Sequence, residues 1–244
     1  MVGTHGSGTI FFTYCNLGCL FCQNYTISQL GEGSAASKEA LAQMMLSLQA
    51  KGCHNINLVS PTHVVPYILE ALEIAASRGL HLPLVYNTGG YDCVETLKLL
   101  DGIIDIYMPD MKYSDDKTGE QLSGIKDYPK VNRAAVKEMH RQVGDLQTDG
   151  QGVAQRGLLV RHLVLPNRLA GTGEVVRFLA QEVSINTYLN IMAQYHPCYQ
   201  AFNIPQLARP VSEVEFAEAV DLTHQQGLGR LDKHNFPLLR PTPR

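Results

Sequence analysis

Six short apolar runs, each followed by a stretch with helical spacing, leave this chain few folds to choose from. "TIFFT" (9–13) is β-branched and aromatic; after a polar loop, Ser37 stands as an N-cap before Leu41, Met44, Met45 and Leu48, with Gly52 at the stop. "NINLV" (55–59), "LPLVYN" (82–87), "IIDIYM" (103–108), "GLLVRHLVL" (157–165) and "YLNIMAQ" (188–194) read as the next five strands. Helices are expected at 64–79, 93–100, about 130–142 and 174–183, and again after Ser212, which forms a capping box with Glu215 and runs to Gly227. The strands are apolar on both faces, as parallel strands covered by helices must be. Such alternation builds a parallel α/β sheet. Periodicity leaves two topologies open, a doubly wound sheet or a barrel, complete or partial. No linker divides the units, so residues 1–232 read as one domain and 233–244 as a loose, Pro-rich, basic tail.

Composition narrows the function. Of 244 residues, 45% are hydrophobic and 18% charged, an ordinary globular balance, and the net charge of −3 gives no broad basic surface for nucleic acid. No apolar run reaches the length needed to span a bilayer, and "MVGTHGSG" lacks the apolar stretch of a signal peptide, so a cytoplasmic location is expected. Of the six cysteines, those that cluster read as metal-binding or catalytic rather than disulfide-bonded. Cys53, Cys93 and Cys198 are scattered and expected to be small buried residues; Met44 and Met45 are expected in the core, and "SDDKTGE" as a solvated loop.

In either topology the active site lies at the carboxyl ends of the strands. The polar groups there are Cys15, Cys19 and Cys22; Ser60, Pro61, Thr62 and His63; Asn87, Thr88, Gly89 and Gly90; Asp110 and Lys112; Asn167; and Tyr195 with His196. His63 and His162 are expected to be structural.

The cysteines fall within eight residues, in "TYCNLGCLFCQNY". Structural zinc needs four closed ligands, and so does an ordinary 4Fe–4S cluster. Three clustered thiolates leave one iron open to a substrate or cofactor. An electron carrier or sensor would gain from a closed cluster instead.

Cys-x3-Cys-x2-Cys after a first strand, with Phe21 before the last cysteine, resembles the signature of the radical S-adenosylmethionine (SAM) enzymes. Within them the chain resembles pyruvate formate-lyase activating enzymes over nearly its whole length, through "DIYMPDMKY", "NTGGY" and "MAQYHP". The resemblance implies a partial (β/α)6 barrel, a 4Fe–4S cluster on Cys15, Cys19 and Cys22, and SAM on the fourth iron. It implies that Asp110 and Lys112 contact SAM, Lys112 by pairing with its carboxylate, and that His196 contacts the ribose. It also implies that Phe21 packs against adenine, that Asn24 offers an amide, and that Asn87 and Thr88 line the strand-three end.

The chain departs from those enzymes in places. The Gly-Gly-Glu that holds the SAM amino group is replaced by "VSPTH", so the carbonyls of Ser60 and Pro61 and the Thr62 hydroxyl are the acceptors expected there. Asn87 stands where the family has a cation-binding Asp. The extra cysteine insert is missing, and Met1 reads as a late start. The implied activity is hydrogen abstraction by a 5′-deoxyadenosyl radical. Its target would be a glycine of a glycyl radical enzyme, or else a peptide or small molecule. The implied partner is a one-electron donor such as flavodoxin or ferredoxin.

Overall fold

A computed structural model describes residues 3–232; the expected loose tail at 233–244 lies outside the described residues. The chain opens with β1 (Gly8–Phe11), the single turn α1 (Tyr25–Ser28), α2 (Lys38–Ala50), β2 (Ile56–Val59) and α3 (Val65–Ser77). It continues with β3 (Leu84–Thr88), α4 (Val94–Lys98), β4 (Ile106–Pro109), α5 (Asp116–Ser123) and α6 (Tyr128–Val143). It ends with β5 (Gln147–Thr148), β6 (Ala154–Leu163), α7 (Thr172–Phe178), β7 (Tyr188–Met192) and α8 (Glu213–Gln225).

β1, β2, β3, β4 and β6 lie side by side in parallel, and β7 adds in parallel to the far half of β6. That is the parallel α/β sheet of a partial barrel. The six expected strands are all present. One further strand, β5, is a two-residue antiparallel partner of β6 that no periodic pattern announces. Among the described residues β1 pairs with β2 alone, and β7 pairs with β6 and, at one bridge, with Leu231. The barrel therefore stays open between β1 and β7.

The helices form where their caps and apolar faces demand. Ser37 Oγ accepts the Ala40 N–H at the start of α2, and Ser212 and Glu215 close the expected capping box on α8. Leu41, Ala42 and Met45 of α2 meet Ile68, Ala71 and Leu72 of α3 over the sheet. Full burial of a side chain such as Met45 contributes about 1.5–3 kcal/mol. Met44 corrects an expectation: one position from Met45, it points away from the stripe and is 45% exposed. Cys93 is another correction, since it stands exposed before α4, while Cys53 and Cys198 are half-buried.

The largest correction is "SDDKTGE". It is the start of α5, capped by Asp115, whose carboxylate accepts the Thr118 N–H, and ended by left-handed Gly124. Its buried positions include Gly119 and Ser123, which carry no apolar signal. Further on, α7 turns into a wider π-helical turn at Leu179–Val183 instead of continuing as a regular helix.

Candidate functional site

One cavity of about 240 Å³ opens at the carboxyl ends of the strands. Its wall includes Cys15, Cys19, Cys22, Phe21 and Asn24 from the loop after β1, and Ser60 from the end of β2. Asn87, Thr88 and Gly89 come from β3, Asp110 and Lys112 from β4, and Arg161 from β6.

The cysteine loop is held from two sides. On one, Gly18 and Leu20 donate their N–H groups to the carbonyls of Ser123 and Leu122 at the end of α5, at 3.0 and 2.9 Å. On the other, the loop after β7 packs back, with the Gln200 N–H on Leu20 O at 2.9 Å and Tyr199 stacked on Tyr25 at 4.8 Å. Every thiol meets a polar partner. Leu17 N–H reaches Cys15 Sγ at 3.4 Å, Ser123 Oγ reaches Cys19 Sγ at 2.9 Å, and Ser28 Oγ lies 3.1 Å from Cys22 Sγ. Burial pushes the free Cys15 and Cys19 thiols up, and the nearby Lys112 charge works against that rise. Phe21 is buried edge-on against Tyr113 and Tyr195 and still forms part of the cavity wall.

Part of the lining is charged. Asp110 sits between two cations, with Lys112 Nζ 2.6 Å from its Oδ2 and Arg161 Nη2 2.7 Å from its Oδ1. The register explains the meeting: Asp110 and Arg161 bridge as β4 and β6 run out, and the Met111 N–H bonds Arg161 O at 2.8 Å. Burial disfavours the Asp110 carboxylate, but Arg161 and Lys112 outweigh it and hold the carboxyl below its ordinary range. Lys112 is likewise held protonated: burial opposes its charge, and Asp110 prevails. Two cations against one carboxylate leave this wall with one positive charge in surplus, suited to a carboxylate ligand.

The strand-three end needs Gly90. Its φ is +79°, and an added Cβ would stand 2.1 Å from Asp110 O and 2.3 Å from Asn132 Nδ2. That space lets Asn132 Nδ2 donate to Gly90 O and Asp110 O, both at 2.9 Å, and lets the Tyr128 hydroxyl reach Gly89 O at 2.8 Å. Helix α6 thus pins the ends of β3 and β4 together.

Not every expected residue joins the cavity. Pro61, Thr62 and His196 stand outside its wall. Thr62 Oγ1 turns to Asp92 Oδ1 at 2.7 Å, and the exposed His196 ring lies 3.3 Å from Gln23 Nε2, at the edge of the wall. Ser60 does line the cavity, in a left-handed turn (φ 57°) that its neighbours hold in place. Asn167 belongs to a separate cluster with Glu215 and Arg209, and the Tyr195 hydroxyl is spent on Leu207 O. His63 caps Thr13 O, and buried His162 is satisfied by Met111 O and Thr172 Oγ1, both structural arrangements as expected.

Two residues escaped the sequence reading. Arg161 was legible as a lone charge inside an otherwise apolar strand. Asp92 had a fainter signal, an acid two residues after the Gly-Gly turn. It is 1% exposed and accepts hydroxyl protons from Thr62, Tyr86 and Thr88.

The donor set fits an iron–sulfur cluster. Three thiols that line the cavity each face an N–H or O–H partner, and the net positive Lys112–Asp110–Arg161 group lines the same cavity. Among the described residues no three His, Cys, Asp or Glu side chains close on a single metal ion.

The comparisons agree. The family model for the radical SAM superfamily matches residues 9–150, more than half of the chain. Two uncharacterised proteins of Methanocaldococcus jannaschii are 30% and 24% identical, each over 91% of this chain. The chain spans only 63% and 62% of their lengths. A radical SAM methyltransferase from Sphaerobacter thermophilus shares the fold over 94% of this chain and 67% of its own, with a TM-score of 0.63 at 15% identity. SuiB of Streptococcus suis, solved with its precursor peptide SuiA, matches 95% of this chain and 50% of its own at TM-score 0.62 and 12% identity. Native anSMEcpe with bound AdoMet matches 89% and 60% at TM-score 0.58 and 12% identity. With the family model matching from the first strand onward, through the three cysteines, this chain belongs to the radical SAM superfamily.

Proposed function

We propose that this radical SAM enzyme removes a hydrogen from a glycine Cα in a loop of a glycyl radical enzyme, in the manner of an activating enzyme. Enzymes of the superfamily use a 4Fe–4S cluster and SAM, which together supply a 5′-deoxyadenosyl radical and methionine after one-electron reduction. The observation that carries the reading is the convergence of Cys15, Cys19 and Cys22 with Lys112 on one cavity.

Each residue has a task. The three thiolates would hold three irons and leave the fourth for SAM. Lys112, kept charged by Asp110, would pair with the SAM carboxylate, and Asp110 fixes the direction of the ammonium at 2.6 Å. Phe21 and Leu17, both buried, keep water from the reacting end. Asn24, Asn87 and Thr88 offer polar groups along the wall, and His196 stands at its edge. The gap between β1 and β7, which no strand closes among the described residues, supports a polymeric target. A flavodoxin or ferredoxin would supply the electron.

A second reading keeps the chemistry but takes a peptide or small molecule. It is favoured by the end of β2, where Ser60, Pro61 and Thr62 replace an acidic motif and the Thr62 hydroxyl is already engaged.

The test is anaerobic reconstitution with iron and sulfide, reduction, addition of SAM, and assay of 5′-deoxyadenosine and methionine beside Cys19→Ala. Product that disappears in the variant supports the chemistry. A peptide deuterated at a glycine Cα then separates the readings. Deuterium in 5′-deoxyadenosine supports the glycyl target, whereas cleavage with no transfer from any glycyl peptide overturns it.

A further inference from the structure

Helix α5 brings a buried hydrogen-bond relay to one of the three cysteines. The two backbone bonds from Gly18 and Leu20 straddle Cys19 and seat Ser123 beside it. Ser123 Oγ lies 2.9 Å from Cys19 Sγ, and Tyr113 OH lies 2.6 Å from Ser123 Oγ. Tyr113 and Ser123 are each 1% exposed, and Cys19 is 7% exposed.

On the reading that Cys19 binds iron, the direction of every proton follows. A metal-bound thiolate only accepts, so Ser123 gives it its single hydroxyl proton. The Ser123 oxygen then accepts from Tyr113. The relay runs Tyr113 to Ser123 to Cys19, and each donor polarises the next in a dry surrounding. The other two sulfurs are served less closely. Cys15 has a longer contact to Leu17 N–H, and half-buried Cys22 has Ser28, which Gln29 Nε2 backs only at a long 3.4 Å.

Hydrogen bonds to cluster sulfurs are among the levers on reduction potential. The reduced cluster carries one more negative charge, so a fixed donor stabilises it more than the oxidised form. We propose that Ser123, supported by Tyr113, raises the reduction potential of the cluster through Cys19 and so brings it within reach of its electron donor. Ser123 is a positioning residue, acting on the thiolate and not on substrate.

The test is a redox titration, with dithionite and mediators and the reduced cluster read by electron paramagnetic resonance. It compares reconstituted wild type, Ser123→Ala, Ser123→Thr, Tyr113→Phe and the Ser123→Ala/Tyr113→Phe double variant. Iron and sulfide analysis first establishes equal loading. Ser123→Ala is expected to lower the reduction equilibrium constant about tenfold, about 59 mV for a one-electron couple. Tyr113→Phe is expected to shift it the same way by less, and to add nothing in the double variant. Ser123→Thr restores the wild-type value. Loaded Ser123→Ala at the wild-type potential overturns the proposal, as does a Tyr113→Phe shift that persists without Ser123. Should Ser123→Ala fail to load, Tyr113→Phe decides: it leaves the Ser123 contact intact, and an unchanged potential overturns the relay. A wild-type protein that takes up no iron overturns the cluster reading itself.

Discussion

Two carboxylates stand at the ends of neighbouring strands, Asp92 buried and Asp110 with a side chain 13% exposed, and their affinities for protons move in opposite directions. Asp110 after β4 lies between Lys112 and Arg161 and is held below its ordinary range, the two cations outweighing its burial. Asp92, four residues after Thr88 at the end of β3, has only hydroxyl partners. Burial raises its pKa, and the bonds from Thr62, Thr88 and Tyr86 offset only part of the rise. Neutral donors satisfy a carboxylate's geometry, whereas charged partners also repay its desolvation. The charged arrangement faces the cavity and leaves a surplus positive charge for a ligand. The hydroxyl arrangement ties the β2 end to the β3 end and faces no ligand directly.

The comparison breaks first at Asp110. Asp110→Asn leaves Lys112 and Arg161 facing each other without their counter-charge, and is expected to lose about 3–5 kcal/mol in denaturant unfolding, as for one partner of a buried pair. SAM affinity should fall in equilibrium dialysis with it, because Lys112 is no longer aimed. Thr62→Val is expected to cost less, about 1–3 kcal/mol, the penalty for one buried acceptor left short. It keeps Asp110 intact, so cluster loading should not change. An equal loss from the two variants would show that the charged and neutral networks do not differ as argued.

The pH dependence sharpens the contrast. A depressed carboxyl contributes stability above its unfolded pKa, about 3.9, and loses it as pH falls through the lower folded value. Unfolding curves of wild type and Asp110→Asn should therefore converge on acidification below pH about 4. A raised carboxyl behaves oppositely: its contribution is present below about 3.9 and lost as pH rises through the higher folded value. Asp92→Asn should thus compare more favourably with wild type at neutral pH than in acid. This is the smaller effect, because an amide keeps one oxygen for the Thr62 and Tyr86 hydroxyls, which share Oδ1. Curves that converge the other way for either variant would reverse the assignment.

Legibility followed the same division. The six parallel strands, the Ser37 cap and the Ser212–Glu215 capping box were readable because apolar period and cap chemistry are local. The three cysteines and the Asp110–Lys112 pair were readable from spacing at strand ends. Helix α5 was not, because its short, polar run has a Gly inside it and gains its place from backbone bonds to the cysteine loop. Arg161 was passed over inside an apolar strand, and Thr62 was assigned to the cavity although Asp92 holds its hydroxyl.

By itself the sequence determined the class of fold, the three clustered thiols and the chemistry they imply, because each is written in neighbouring residues. The tertiary structure alone decided what surrounds them. Asp110 meets Arg161 only when β4 and β6 pair in register, and Ser123 reaches Cys19 across 104 positions of chain. Such contacts depend on which strand ends and helix termini the fold brings together, and local sequence carries no record of that distance.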